Sequence, residues 1–415
     1  MAVPRKPRLR AVEAIVVPDA RYGKVLVLRD TQGIAKGHVA IPPAAVPIVA
    51  RFDGEHTVAD LARELGEPAS VIERLAIDLD RALMLTGATF DAAVAAARAE
   101  FEALPLRPAS HAGGAYPSDP KALAEYMNRQ CIARAPIGPA GDAANANGPI
   151  VGLVAPHIDP WRGAVGYGHA YGALARALAA APAVDTFLVF GTSHAPMKEP
   201  FALLRKGYAT PLGPMPVDED AVDTLVRAAR FDPFADALNH KREHSIEFQA
   251  AFLRHVLGAR RATIIPILAG LGKAQESGSA PRNEPRVAHF FDAIGELVAK
   301  RSGRIVVVAG ADLAHVGPRF GDARAKDAPE RSVLEARDRE SLRRFGSRES
   351  ASFWDHVSED MDERRVCGLG PMMSLLEVLG GAKSTPELLH YEQTIDDDDG
   401  SIVSHAALAL RSSTG

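Results

Sequence analysis

The rhythm of apolar and polar positions changes near residue 105. Before it the apolar runs are short. "AIVVP" and "GKVLVLRD" hold β-branched residues between turn formers, which predicts two strands. "FDGEHTVADLARELG" follows, where Thr57 and Asp60 form a capping-box start and Gly66 supplies a C-terminal cap. "ASVIERLAIDLDRALML" carries apolar residues at helical spacing, and residues 87–106 read as an alanine-rich linking helix. Strands, a short helix, a turn and a second helix predict a small winged-helix unit.

After "ASHAGGAYP" the apolar runs become nearly continuous: "PIVGLVAP", "TFLVFG", "ATIIPILAG" and "RIVVVAGA". Helical stretches separate them, namely "GHAYGALARALAAA", "SIEFQAAFLRHVLG" and "VAHFFDAIGELVAK". Uninterrupted apolar strands alternating with helices predict a sheet buried on both faces, an α/β layered fold. "IVSHAALAL" offers one more strand, while "APIGPAGDAANANGP" and "GKAQESGSAPRNEPR" read as loops. The expected division is 1–105 for the small domain and linker and 106–415 for the α/β domain.

Composition narrows the function classes. The 415 residues are 47% hydrophobic and 24% charged, as in globular proteins with a large core. A net charge of −4 gives no overall attraction for nucleic acid. The basic start "MAVPRKPRLR" has no apolar segment behind it, so no secretory signal is expected. No run of about 18 apolar residues predicts a membrane span. Two distant cysteines, Cys131 and Cys367, argue against a disulfide framework and fit a reducing cytoplasm. The acidic run Asp396–Asp399 lacks a calcium-loop pattern and reads as a solvated loop.

Open α/β sheets bind ligands at the carboxyl ends of their strands. His157 follows "PIVGLVAP", His194 follows "TFLVFG", and Asp312 with His315 follows "RIVVVAGA". Three strand ends thus deliver four groups able to bind a metal or move a proton. Two further segments can close the site. "KREHSIEFQ" offers Glu243 and His244, either as functional groups or as ordinary polar residues at a helix start, with Ser245 as the expected N-cap. "RRVCGLGPMM" puts Cys367 before a helix, where a thiol has a lowered pKa; the alternative is a small buried apolar side chain. Cys131 has only the apolar reading. Asp159 either orients an imidazole or pairs with Arg162.

Histidines with a thiolate suit copper(I), zinc or iron, and two histidines with a carboxylate suit Fe(II). His244 and His315 can serve as acid, base or hydrogen-bond donor. No Gly-x-Ser-x-Gly elbow, Walker A or dinucleotide fingerprint is present.

Together "ASHAGGAYP", "APHIDPWRGAVGYGHAY", "GTSHAP", "EHSIEFQ", "GADLAHVG", "VCGLGP" and "SHAALAL" resemble the Memo family, including the AmmeMemoRadiSam system protein B. The resemblance runs from about residue 108 to near the C-terminus. It implies a fold like the class III, LigB-type extradiol dioxygenases. It implies metal ligands at His157, His194 and Cys367, with His244, Asp312 and His315 lining the same pocket. It further implies iron or copper, redox chemistry, and radical-SAM and Ammecr-type partner proteins. This chain departs from the family pattern in the longer turn "IDPWRGAVGYG" and in Leu-Gly-Pro after "CG". The N-terminal unit resembles PqqD-like domains at "FDGEHTVADLARELG" and "LDRALML", which implies that it binds a peptide or partner protein. A DNA-binding helix-turn-helix is the rival, but Glu73, Asp78 and Asp80 beside Arg74 and Arg81 make a poor phosphate-contacting face. Three functions follow: a metal-dependent redox protein, a non-catalytic binding adaptor, or an extradiol ring-cleaving dioxygenase.

Overall fold

The computed structural model describes residues 4–135, 149–271, 279–360, 362–380 and 384–412. The first expected loop falls largely on 136–148 and the first half of the second on 272–278, outside the described residues, while the rest of the second forms a 3-10 turn at Pro281–Asn283 and runs into the helix Pro285–Lys300. The chain divides into two compact units, Met1–Leu104 grouped with His194–Pro196, and Pro105–Ser193 with Met197–Gly415.

In the first unit, β1 (Glu13–Asp19), β2 (Gly23–Arg29) and β3 (His38–Ile41) form an antiparallel sheet in that order. Helices α1 (Val46–Val49), α2 (Val58–Leu65), α3 (Ala69–Arg81) and α4 (Ala88–Ala103) follow. The capping box is formed: Thr57 Oγ1 accepts from the Asp60 N–H at 3.1 Å, and the Asp60 carboxylate accepts from the Thr57 N–H at 3.1 Å. Gly66 ends α2 at φ 68°, a left-handed conformation that favours glycine. Leu28, Ile41, Leu61, Ile72 and Leu79 share one buried core. Each such side chain contributes roughly 1.5–3 kcal/mol on burial.

The second unit starts with β4 (Leu106–Arg107) and α5 (Pro120–Tyr126). Then come β5 (Ile150–Ala155), α6 (Pro160–Ala180), β6 (Thr186–Thr192), β7 (Phe201–Leu203) and β8 (Gly207–Tyr208). They are followed by α7 (Glu219–Ala228), α8 (His244–Leu257), β9 (Thr263–Ala269), α9 (Pro285–Lys300), β10 (Ile305–Gly310) and β11 (Asp312–Val316). The last elements are α10 (Ala328–Ser347), α11 (Ser350–Ser358), α12 (Leu369–Leu379), β12 (Ser384–Ile395) and β13 (Ile402–Ser412).

Its main sheet runs β11-β13-β5-β10-β6-β9-β7, with β12 also paired to β13. β5, β10, β6 and β9 are parallel, as continuous apolar strands require. β13, the strand expected from "IVSHAALAL", joins antiparallel to β5. β10 enters between β5 and β6, with Val307 opposite both Gly152 and Leu188. The strand ends carrying His157, Asp312 and His194 are therefore side by side. Both faces are covered. Helices α9 and α12 share a core with Leu188, Phe190 and Val307, and α6 and α8 lie against β5 and β6. Among the described residues no helix is long and apolar enough to cross a membrane.

Candidate metal centre

β5 ends at Ala155, and the chain turns through Pro156 to His157, which is 1% exposed. The His157 N–H donates to Asp312 Oδ1 at 2.9 Å, and its ring Nδ1 lies 2.9 Å from the Gly310 carbonyl. A carbonyl can only accept, so Nδ1 carries the proton and Nε2 presents its lone pair. That Nε2 is 3.1 Å from Cys367 Sγ. His194, two residues past β6, completes a group whose three donor atoms lie within 4.8 Å of one another. Two imidazoles and one sulfur are a donor set for a soft or borderline metal ion.

Two glycines let the backbone close up here. Gly368 donates its N–H to the Asp312 carbonyl at 3.0 Å, and a Cβ on Gly368 would fall on that same oxygen. Any other residue at 368 would push Cys367 away from β11. A Cβ on Gly310, the last residue of β10, would likewise strike the Ser245 carbonyl at the start of α8. Thr192 Oγ1 donates to the Cys367 carbonyl at 2.8 Å, pinning the cysteine turn to the end of β6. The expected drop in the Cys367 pKa is corrected. Burial and the Asp312 charge push the thiol well above its ordinary value. The helix N-terminus is outweighed by desolvation, and only a bound cation would reverse the balance.

The remaining expected residues surround this group. Asp312, 1% exposed, holds the His157 backbone, with its Oδ2 3.7 Å from His157 Nε2. His315 places Nε2 4.0 Å from Cys367 Sγ, and its Nδ1 faces the Leu313 carbonyl at 3.2 Å. Asp312 and His315 sit on a strand of their own, β11, paired with β13. The His244 ring is 5.5 Å from that of His157. His194, Glu243 and His244 form a second group with donor atoms within 4.8 Å. Ser245 is not the N-cap of α8: Glu243 is, its Oε1 accepting from the Ser245 N–H at 2.9 Å. Ser245 lies inside the first turn, and its hydroxyl donates to the Thr192 carbonyl at 2.8 Å. Asp159 caps α6 and pairs with Arg162, the second of its two readings. Cys131 is fully buried, and desolvation pushes its thiol up to about 12, which matches the apolar reading. Asp396 is paired with Arg319 at 2.8 Å, whereas Asp397 and Asp398 are exposed in the β12–β13 turn.

A buried network beside His244 escaped the sequence reading. Glu247, fully buried on α8, accepts from Arg107, from Tyr116 Oη at 2.6 Å, from Ser110 Oγ at 3.1 Å and from His111 at both N and Nδ1. These donors hold its carboxyl at about 2, against an ordinary 4.5. Gln249 also went unnoticed; its Nε2 donates to the Pro156 carbonyl at 2.9 Å and supports the His157 turn. The available signal was the helical spacing His244–Glu247, which puts both on neighbouring faces of one turn.

A cavity of about 990 Å³ opens at the opposite end of the sheet, where Thr186 and Thr263 begin β6 and β9. Its Arg301 and Arg304 are paired with Asp218 and Asp185. The convergent donors lie at the carboxyl ends instead.

Fold and site together define a class: an α/β protein with a cluster of histidine and cysteine donor atoms at the carboxyl ends of its parallel strands. The sequence pattern of the Memo-like protein family matches residues 107–409. A MEMO1 family protein of Aquifex aeolicus is 26% identical over 397 residues, covering 94% of this chain and 96% of the relative. One from Methanosarcina mazei is 27% identical over 266 residues, 63% of this chain and 86% of the relative. One from Methanopyrus kandleri is 28% identical over 309 residues, covering 72% and 97%. This chain belongs to the Memo family. Because the Aquifex alignment spans 397 residues, it reaches into the N-terminal unit, whereas the family pattern begins at 107.

Proposed function

We propose that the chain is a metal-dependent redox protein in which His157, His194 and Cys367 hold iron or copper. The observation that carries this reading is the placement of His157 between the Gly310 carbonyl and the Cys367 sulfur. Its Nδ1 is committed to Gly310, and its Nε2 is 3.1 Å from the Cys367 sulfur. Iron and copper both accept imidazole with thiolate, and both change oxidation state, which is the chemistry the ion supplies when bound. Asp312 orients His157, and His244 and His315 stand on the rim to hold or move a proton. A soft thiolate ligand needs a reducing compartment, so the cytoplasm is the proposed location. The unit Met1–Leu104 is assigned the binding of a peptide or partner protein in the manner of PqqD-like domains. The radical-SAM and Ammecr-type proteins of an AmmeMemoRadiSam system are the partner classes.

Metal analysis of anaerobically loaded protein tests the reading. The full chain should take up iron or copper, and His157→Ala and Cys367→Ala should lose it. Equal loading in these variants would remove the assignment.

A further inference from the structure

The motif "ASHAGGAYP" has no role in the metal group, yet it ends beside it. We propose that His111, held by Glu247, is a further imidazole of the pocket, presenting Nε2 as a hydrogen-bond acceptor to whatever binds at the metal. This rests on the metal-centre reading above.

The argument starts from Glu247. It is fully buried, and five donors from Arg107, Ser110, His111 and Tyr116 converge on its two oxygens. Arg107, itself 0% exposed, keeps it ionised. A carboxylate only accepts, so His111 Nδ1, 2.8 Å from Oε2, is the protonated nitrogen, and Nε2 carries the lone pair. The same carboxylate takes the His111 backbone N–H at 2.9 Å through Oε1, so one anion fixes both the backbone and the ring. The ring stands edge-on to His244, centroids 5.6 Å apart, and His244 stands edge-on to His157 at 5.5 Å. Three imidazoles thus run from the metal group outward. Phe248 packs against both His111 and His244 at 5.7 and 5.3 Å, giving the row an apolar wall.

A purely structural His111 would only tie its loop to α8. Arg107 and Tyr116 already make that connection, and they are buried, whereas the His111 side chain stays 23% exposed. An imidazole held on one nitrogen and open on the other is arranged to meet a ligand. Glu247 is then a positioning residue, acting through His111.

The test uses His111→Asn. Its side-chain amide can still donate to Glu247 from the place of Nδ1, but it has nothing at the place of Nε2. The full chain is loaded anaerobically with Fe(II), and 4-nitrocatechol is added as an absorbing probe that loses hydroxyl protons on binding. Parent and variant should load equal iron. Ionisation of the bound probe should need a pH at least one unit higher in the variant, a tenfold change. Equal ionisation pH with equal iron, or no probe spectrum on the iron-loaded parent, would overturn the proposal. So would nitrogen NMR of the unmodified protein finding His111 protonated at Nε2 rather than Nδ1. A parent that takes up no iron would instead mark failure of the metal-centre reading, seen in the iron measurement alone.

Discussion

At the scale of the residue, the site depends on polar groups with one atom committed to a fixed partner and another turned toward a neighbouring donor. His157 is the plainest case, with Nδ1 on Gly310 and Nε2 toward Cys367. Glu247 gives a pH signature. Its folded carboxyl titrates at about 2, below the ordinary 4.5. A depressed pKa contributes stability that is present above pH 4.5 and is lost as the pH falls toward 2. The shift corresponds to about 3 kcal/mol. Thermal unfolding of the parent should therefore weaken through this window. Glu247→Gln should lack that part of the slope while being less stable by about 3–5 kcal/mol at neutral pH, because Arg107 is left buried without its anion. Identical pH profiles would refute the role given to Glu247. His157, His194 and Asp312 were legible because each follows an apolar run. Glu247 was not, since helical spacing reports a buried face and says nothing of which donors meet it. Ser245 was misread for a related reason. Serine is the commoner cap, but the close approach of α8 to β6 turns its hydroxyl onto Thr192 and leaves Glu243 to cap.

At the scale of the element, the site is made by where strands stop and how closely the next backbone approaches. Gly368→Ala would drive a methyl onto the Asp312 carbonyl. An expected cost of about 1–3 kcal/mol follows from overpacking, together with a loss of metal affinity as Cys367 is displaced. Calorimetry and metal titration on the same preparation check both; a variant unchanged in both would show that the glycine is not required. Gly310→Ala should act through α8 instead, shifting His244 away from His157. Histidine ring-proton chemical shifts should move for His244 in that variant and stay put if the helix start is not set by this contact. The strands themselves were legible from their unbroken apolar runs. Their order was not, because β10 comes after both β5 and β6 in the chain, with β9 between, yet intercalates between them, and nothing local encodes that pairing. The antiparallel entry of β13 was hidden for the same reason.

At the scale of the molecule, two compact units share one chain. The hydrophobic rhythm changes near residue 105, because a small three-stranded sheet with short helices and a large two-faced sheet need different patterns. The first unit is proposed to bind a partner. Affinity capture with the full chain should recover a partner that a chain beginning at residue 105 does not, and equal recovery would remove that role. His157 and Cys367 lie in the second unit, and at their site the central claim can be measured directly. X-ray absorption at the metal edge of the loaded full chain should find one sulfur and at least two imidazole scatterers around iron or copper, with the sulfur absent in Cys367→Ala. A shell of nitrogen and oxygen alone in the unmodified protein would contradict the account.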